Sequence, residues 1–268
     1  MSDQELTEAY LNRFGGIARL YGMDSLKALA KSHFMVIGLG GVGTWTAESL
    51  ARSGVGELTL IDLDDICVTN TNRQIHALAS TIGQSKTATL AQRIREINPE
   101  IIVHEVEDFL DKSNIQELIN ADHHMVVDAT DSANVKSALV AYCSAIKKPM
   151  VMVGSAGGKS DPRAVTSSDL AKTISDPLLA KVRQQLFRIY KFSRDSKRKF
   201  NIEAVFSTEQ MVYPQPDGNV CQNKSITQEG VKLDCANGFG SSTMVTGTFG
   251  FVLASRAIEK FLKKQKLR

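Results

Sequence analysis

The residues best suited to chemistry begin with a group that carries no side chains. Gly38, Gly40 and Gly43, with Gly41 between them, fit the G-x-G-x-x-G spacing. That spacing allows a tight turn, lets backbone N–H groups approach a phosphate and lets a helix start close against a strand. An apolar run, Phe34 to Ile37, precedes the glycines; Thr44 to Ser53 reads as a helix, and Leu58 to Ile61 as a second strand ending on Asp62. The helix N-terminus then points its unpaired N–H groups at an anion, and Asp62 stands where such units bind ribose hydroxyls. An ordinary tight turn would need the glycines but not the acid, so the whole unit reads as a nucleotide site.

Further groups decide which nucleotide. Asp64 opens a polar loop that runs through Asn72, Arg73 and Gln74, and Lys86 follows at the start of a helix reaching Ile97. A cation at a helix N-terminus is electrostatically misplaced unless an anion sits opposite it. Met125 to Asp128 reads as a strand whose carboxyl end carries Asp128 and Asp131, on the same side as the glycine loop. A dinucleotide needs little cationic help. A triphosphate carries more charge and normally Mg2+, which carboxylates hold. Arg73, Lys86 and the two aspartates therefore favour ATP over NAD, and the absence of G-x-x-x-x-G-K-[ST] excludes a P-loop.

These groups need a scaffold, and the rhythm of the chain predicts an α/β fold: a Rossmann-like, mostly parallel sheet with flanking helices, continued by antiparallel strands in the C-terminal half. Residues 4 to 30 read as helical, interrupted at Phe14-Gly15-Gly16. Ile101 to Val106 and Pro149 to Gly154 add strands, and Asn114 to Asn120 and Ser132 to Ile146 add helices. After Gly157-Gly158 the rhythm loosens into shorter strands at Val165-Thr166, Ala204 to Ser207 and Met211 to Pro214, expected to pair antiparallel. We expect a single domain over 1–268: a helical segment 1–33, an ATP-binding half 34–154, and a remaining half, 155–268, for the substrate.

Composition bounds the setting. The 268 residues are 43% hydrophobic, and 32 basic against 29 acidic residues leave a net charge of +3, which alone implies no particular partner. Cys67, Cys143, Cys221 and Cys235 form no C-x-x-C pair, which fits a reduced cytoplasmic compartment and argues against a thiolate zinc site, so no zinc is expected. Ala236 to Ser255 carries no charge over about the ~20 residues a membrane span needs. Its Ser, Thr and Gly content makes it a buried helix instead, Ser242 to Lys263, and membrane association is not expected.

Charge is uneven locally. Between Lys181 and Phe200, Arg188, Lys191, Arg194, Lys197, Arg198 and Lys199 are interleaved with Phe187, Tyr190 and Phe192. Most basic runs are solvated faces, and these aromatics could equally face the core. Rings among cations also suit RNA, where bases stack and phosphates pair.

Taken in order, Gly38-Leu39-Gly40-Gly41-Val42-Gly43, Asp62-Leu63-Asp64, Asn72-Arg73-Gln74, Gly83-Gln84-Ser85-Lys86, Ile97-Asn98-Pro99 and Asp128-Ala129-Thr130-Asp131 resemble the ubiquitin-activating-enzyme superfamily of ThiF and MoeB type. The resemblance implies that Asp62 binds ribose, that Arg73 and Lys86 bind phosphates, that Asp131 holds magnesium, and that Asn72 and Gln74 line the site. It also implies Mg2+, a monovalent cation and a homodimer. The second half lacks the paired zinc cysteines usual in that group. The usual N-terminal Arg-Tyr-x-Arg is replaced by Arg13-Phe14-Gly15-Gly16, leaving Arg13 and Arg19 as alternatives for an arginine finger.

Phe14 to Gly22, Thr69 to Leu78 and Asp234 to Gly240 are similar to a tRNA-modifying branch, the bacterial threonylcarbamoyladenosine dehydratases. That resemblance implies ATP-dependent cyclisation of a modified adenosine beside the tRNA anticodon, with tRNA as partner. It also implies a link to a cysteine desulfurase or sulfur-acceptor system, for which Cys235 is a candidate thiol. The alternative is adenylation of the C-terminal glycine of a ubiquitin-like sulfur carrier.

Overall fold

The computed structural model describes residues 5–195, 198–215, 217–222 and 239–268. Lys197 and Cys235, expected to contact tRNA and to act as a thiol, lie outside the described residues. Two helices, α1 (Glu8–Tyr21) and α2 (Met23–Ala30), precede the first strand. The predicted break at Phe14-Gly15-Gly16 is not there: α1 runs through both glycines and ends at Gly22, which takes φ +92°. Gly cost a helix about 1 kcal/mol each relative to Ala. Here Tyr10 and Phe14, buried against Leu26, hold the helix instead, and the Tyr10 hydroxyl donates to the Gly54 carbonyl.

A seven-stranded sheet follows. Its strands are β1 (His33–Ile37), β2 (Glu57–Ile61), β3 (Ile102–Val106), β4 (Met125–Asp128), β5 (Met150–Val153), β6 (Val165–Asp169) and β7 (Glu203–Ser207). They stand in the order β3-β2-β1-β4-β5-β7-β6. All neighbours are parallel except β6, which runs antiparallel to β7 at the edge. The expected antiparallel pairing holds between β6 and β7, but the shorter strands do not form one antiparallel set. Ala204 to Ser207 joins the parallel set beside β5, while β8 (Tyr213–Pro214) pairs with β9 (Val220–Cys221) in a separate two-stranded hairpin. Residues of β1, β4 and β5 are buried on both faces, as parallel strands between two helical layers must be.

One layer contains α3 (Gly43–Arg52), α4 (Lys86–Ile97) and α8 (Thr243–Lys264); the other contains α5 (Ile115–Leu118), α6 (Ala133–Ala145) and α7 (Pro177–Arg188). Residues 243–255 of the uncharged window form the first half of α8. Val245, Phe249 and Leu253 recur at i, i+4 and i+8 and face the core, each burial contributing about 1.5–3 kcal/mol. Gly250 permits the close approach to α3: a Cβ there would sit 2.6 Å from the Trp45 Cβ and 2.8 Å from the Val42 carbonyl oxygen. Among the described residues no helix is long and apolar enough to cross a membrane.

Strand order fixes where a ligand binds. The chain winds outward from β1 to β2 and β3 on one side and from β4 on the other, so the order reverses between β1 and β4. Open α/β sheets bind ligands in the crevice outside the carboxyl ends of strands at that switch point.

Candidate active site

The glycine loop leaves β1 at the switch point and is shaped by contacts a side chain would block. Gly38 has φ +85°, and a Cβ on it would stand 3.0 Å from the backbone of Ala129 and Thr130 after β4. A Cβ on Gly43 would overlap the Gly38 carbonyl oxygen, which explains how α3 starts so near the strand. A Cβ on Gly40 would meet nothing within 4 Å, so that side of the loop is open to a ligand. No acid occupies the first turn of α3, leaving its N-terminal dipole uncompensated.

Asp62, at the end of β2, reaches back to this loop. Its Oδ2 accepts from the Leu39 N–H at 2.6 Å and its Oδ1 from the Asp64 N–H at 2.9 Å. Lys86 is buried at the first position of α4, behind the Ser85 cap, and answers the question its position raised. The opposing anions are protein carboxylates: Lys86 Nζ lies 2.7 Å from Asp64 Oδ2 and 3.5 Å from Asp62 Oδ1. Asp64 is exposed, so it can release Lys86 to a phosphate oxygen and return its own carboxylate to water.

Arg73 lies across the loop from these groups. A Cβ on Gly41 would come 3.1 Å from its Cγ, so the arginine stem covers the glycine. Its Nη1 donates to the Thr69 carbonyl at 2.7 Å and to Asn72 Oδ1 at 2.9 Å. Its own carbonyl accepts from the Trp45 indole at 3.0 Å. Asn72 is tied to the start of α8, donating from Nδ2 to the Ser241 carbonyl at 2.8 Å and accepting at its carbonyl from the Thr243 hydroxyl at 2.6 Å. Gln74 is buried with its Oε1 unpartnered, a polar atom left for a ligand or water. Asp131 is exposed at the mouth of the β4 loop, where an oxygen donor suits Mg2+.

Asp128 departs from the expectation that it contacts ATP. It is fully buried, its Oδ1 taken by the Thr130 N–H and hydroxyl at 3.0 and 2.7 Å and its Oδ2 by Lys136 Nζ at 3.0 Å. With Lys136 also fully buried, the pair sets the shape of the loop that presents Asp131 rather than touching the crevice. Sequence reasoning missed Lys136, although its place one helical turn past the Ser132 cap, on the helix that follows the Asp128 strand, was visible. It also missed His76, buried with both ring nitrogens unpartnered; burial first, then the Lys86 ammonium, holds its pKa down at about 4.

Other expected groups do not reach the crevice. Arg13 is exposed and bonds the Ala9 carbonyl at 3.2 Å, and Arg19 is exposed beside Gly15; α1 packs at the far end of α3 from the glycine loop. Neither arginine serves this chain's own crevice. Asp176, which caps α7, donates no hydrogen but accepts the Ser155 N–H at 2.8 Å at the carboxyl end of β5, and α7 leads away from there. The segment after α7 returns to the opposite end of the sheet, where the Phe200 and Asn201 N–H groups bond Asp169 at 3.0 and 2.8 Å. Arg188, Lys191, Arg194, Arg198 and Lys199 are all exposed there. Tyr190, Phe192 and Phe200 pack against the core, so these rings anchor the segment, and Arg194 stacks over Phe187 at 5.7 Å. The 12 residues of α7 place this patch about 18 Å from the crevice level.

A glycine loop at the switch point, an acid at the end of the second strand, two cations and a carboxylate together define a nucleotide-binding α/β protein with groups suited to stabilise a departing phosphate. A family model described as ThiF family matches residues 15–267, and the chain belongs to that family. The tRNA threonylcarbamoyladenosine dehydratase of Escherichia coli (strain K12) is 50% identical over 259 residues, 97% of each chain. The protein of that name from Bacillus subtilis (strain 168) is 31% identical over 96% of this chain and 98% of its own. A solved structure of the E. coli dehydratase in complex with ATP superposes with a TM-score of 0.87 at 46% identity, covering 98% of each chain. The molybdopterin-synthase adenylyltransferase of E. coli is 37% identical, over 56% of this chain.

Proposed function

We propose that this protein uses ATP to dehydrate N6-threonylcarbamoyladenosine beside the anticodon of tRNA, closing the threonyl side chain into a ring. The observation that carries the reading is the assembled crevice, in a chain similar to an ATP-bound dehydratase along nearly its whole length. The adenylyltransferase likeness stops at about half the chain, which weighs against a sulfur-carrier protein as substrate.

The chemistry runs in two displacements. A threonyl carboxylate oxygen attacks the α-phosphorus of ATP; the new P–O bond forms as the bond to the β-phosphate breaks and pyrophosphate leaves. Arg73 and Lys86 stabilise the charge that develops on the phosphates, Lys86 exchanging its contact with Asp64. The Gly40 side of the loop and the α3 N-terminus hold phosphate oxygens, and Asp62 holds the ribose. Mg2+ at Asp131 would supply further charge neutralisation. A nucleophile of the same side chain then attacks the acyl carbon, the C–O bond to phosphate breaks, and AMP leaves with the oxygen. The net change is loss of one water from the nucleoside, and no enzyme thiol takes part.

The distant basic patch fits a grip on the tRNA stem rather than stacking on the reacting base. Residues 34–154 carry the nucleotide and 155–268 the substrate contacts. Met244 and Phe251 are exposed on α8, one heptad apart, and offer a surface for a homodimer. A cysteine desulfurase or sulfur-acceptor system is a further candidate partner, and a monovalent cation a further ligand, in a cytoplasmic setting.

Incubation with ATP, Mg2+ and tRNA bearing threonylcarbamoyladenosine, followed by nucleoside mass spectrometry, tests the reading. ATP-dependent loss of one water from that nucleoside supports it. An unchanged nucleoside, with pyrophosphate exchange appearing only beside a sulfur-carrier protein, would replace the substrate while keeping the adenylating core.

A further inference from the structure

Four of the chain's five histidines gather at the amino-terminal end of the sheet, away from the crevice: His33, His104, His123 and His124. Three residues in this group place ligand atoms around one point. His33 lies directly opposite Glu57, and His104 opposite Thr59, so Glu57 and His104 are diagonal neighbours. Residues two apart on a strand share a face, which puts all four side chains on one side of the sheet. His33 Nδ1 is 3.4 Å and His104 Nε2 is 2.6 Å from the same oxygen, Glu57 Oε1. The three ligand atoms lie within 4.8 Å of one another.

These separations can be compared with a coordination sphere. Bonds of ~2.0–2.1 Å to tetrahedral zinc put neighbouring ligand atoms about 3.3 Å apart. The His33–Glu57 separation is already there. His104 must retreat by under about 1 Å to reach that edge. Its side chain, 49% exposed on an edge strand, is free to do so.

The surroundings also suit a metal ligand. His33 Nε2 is 2.7 Å from the Thr59 hydroxyl, so a proton on Nε2 leaves Nδ1 as a lone pair directed at the shared point. Ligating imidazoles are oriented by such a bond at the other nitrogen. Two imidazoles with one carboxylate suit zinc-like transition metals over Mg2+ or Ca2+.

We propose that His33, Glu57 and His104 bind a divalent transition metal of the zinc class, with a water in the fourth position, clamping edge strand β3 to β2 and β1. This is not the thiolate knuckle that the sequence lacks. It uses none of the crevice residues, from which it is separated by the length of β1.

The test uses full-length protein stripped with chelator and titrated with Zn2+ by calorimetry and with Co2+ by visible absorption. We expect one equivalent bound, tetrahedral Co2+ bands without thiolate charge transfer, and a thermal midpoint that rises with Zn2+. His104→Ala, at an exposed position, and Glu57→Gln should each weaken Zn2+ by ~100-fold or more, and Thr59→Val by ~10–100-fold. The metal-free midpoint of His104→Ala should match that of the unaltered protein, showing that the fold survives. Absence of a stoichiometric site, wild-type affinity in both ligand variants, or a thiolate charge-transfer band would overturn the assignment.

Discussion

The two ends of the sheet handle charge in opposite ways. At the carboxyl end, Lys86, Asp62, Asp128 and Lys136 are buried or nearly so, and each is fixed by a neighbour before any ligand arrives. At the amino end, Arg188, Lys191, Arg194, Arg198 and Lys199 are exposed. Buried charges cost desolvation, so they persist only with exact partners, and losing one partner is expensive. Exposed charges are individually cheap and interchangeable. One end thus suits a defined small anion, and the other, on the function proposed above, a long polyanion met at many points.

The sharpest break is Lys136→Met, which leaves Asp128 charged and buried. It should cost about 3–5 kcal/mol of stability in urea unfolding. Lys136→Met with Asp128→Leu should recover much of that stability while activity stays low, because the β4 loop is no longer held through Thr130.

Arg73→Ala and Asp131→Ala should lower kcat/KM for ATP-dependent dehydration by ~10²–10³-fold, with thermal midpoints close to that of the unaltered protein. Full activity in either variant would remove that residue from the reaction.

His76 supplies a pH-dependent difference. Its ring titrates at about 4 in the fold against an ordinary 6.5, so the unfolded chain binds a proton that the folded chain refuses. Above pH 6.5 the effect is absent. Stability falls as pH drops from 6.5 towards 4, by about 3 kcal/mol. Urea unfolding across that range should show a shallower fall for His76→Leu.

The smallest effects belong to the amino end. Arg188→Ala, Lys191→Ala or Arg194→Ala should each weaken tRNA binding by up to ~1 kcal/mol. Each should reduce the salt dependence of binding by about one unit of slope or less and leave the ATP dependence unchanged. A large effect from any one of them would mean that this patch holds a defined ligand after all.

Much of the carboxyl end was legible because its signals are local. The glycine spacing, Asp62 at the end of a strand and Lys86 after a Ser cap depend on neighbours a few residues away. The helix expected over 242–263 was legible too, from the uncharged stretch that opens it, and it spans Thr243–Lys264. The errors came where a distant partner decides. Gly15 and Gly16 look like a break until Tyr10 and Phe14 find Gly54 and Leu26. Residues 204–207 pair antiparallel with β6 as expected, but their parallel pairing with β5 on the other side was not legible. Asp128 looks like a ligand until Lys136 fills its second oxygen.

The sequence by itself determined the nucleotide unit, the kind of anion it suits and the α/β alternation, since each follows from backbone conformation and hydrophobic period over short stretches. Only the tertiary structure decided that Lys86 is met by Asp62 and Asp64, and that the basic segment lies at the far end of the sheet. It alone joined His33, Glu57 and His104, which are separated by dozens of residues. Contacts of that kind arise from strand order and register, and a single chain written in one dimension does not carry the distances between elements that pack side by side.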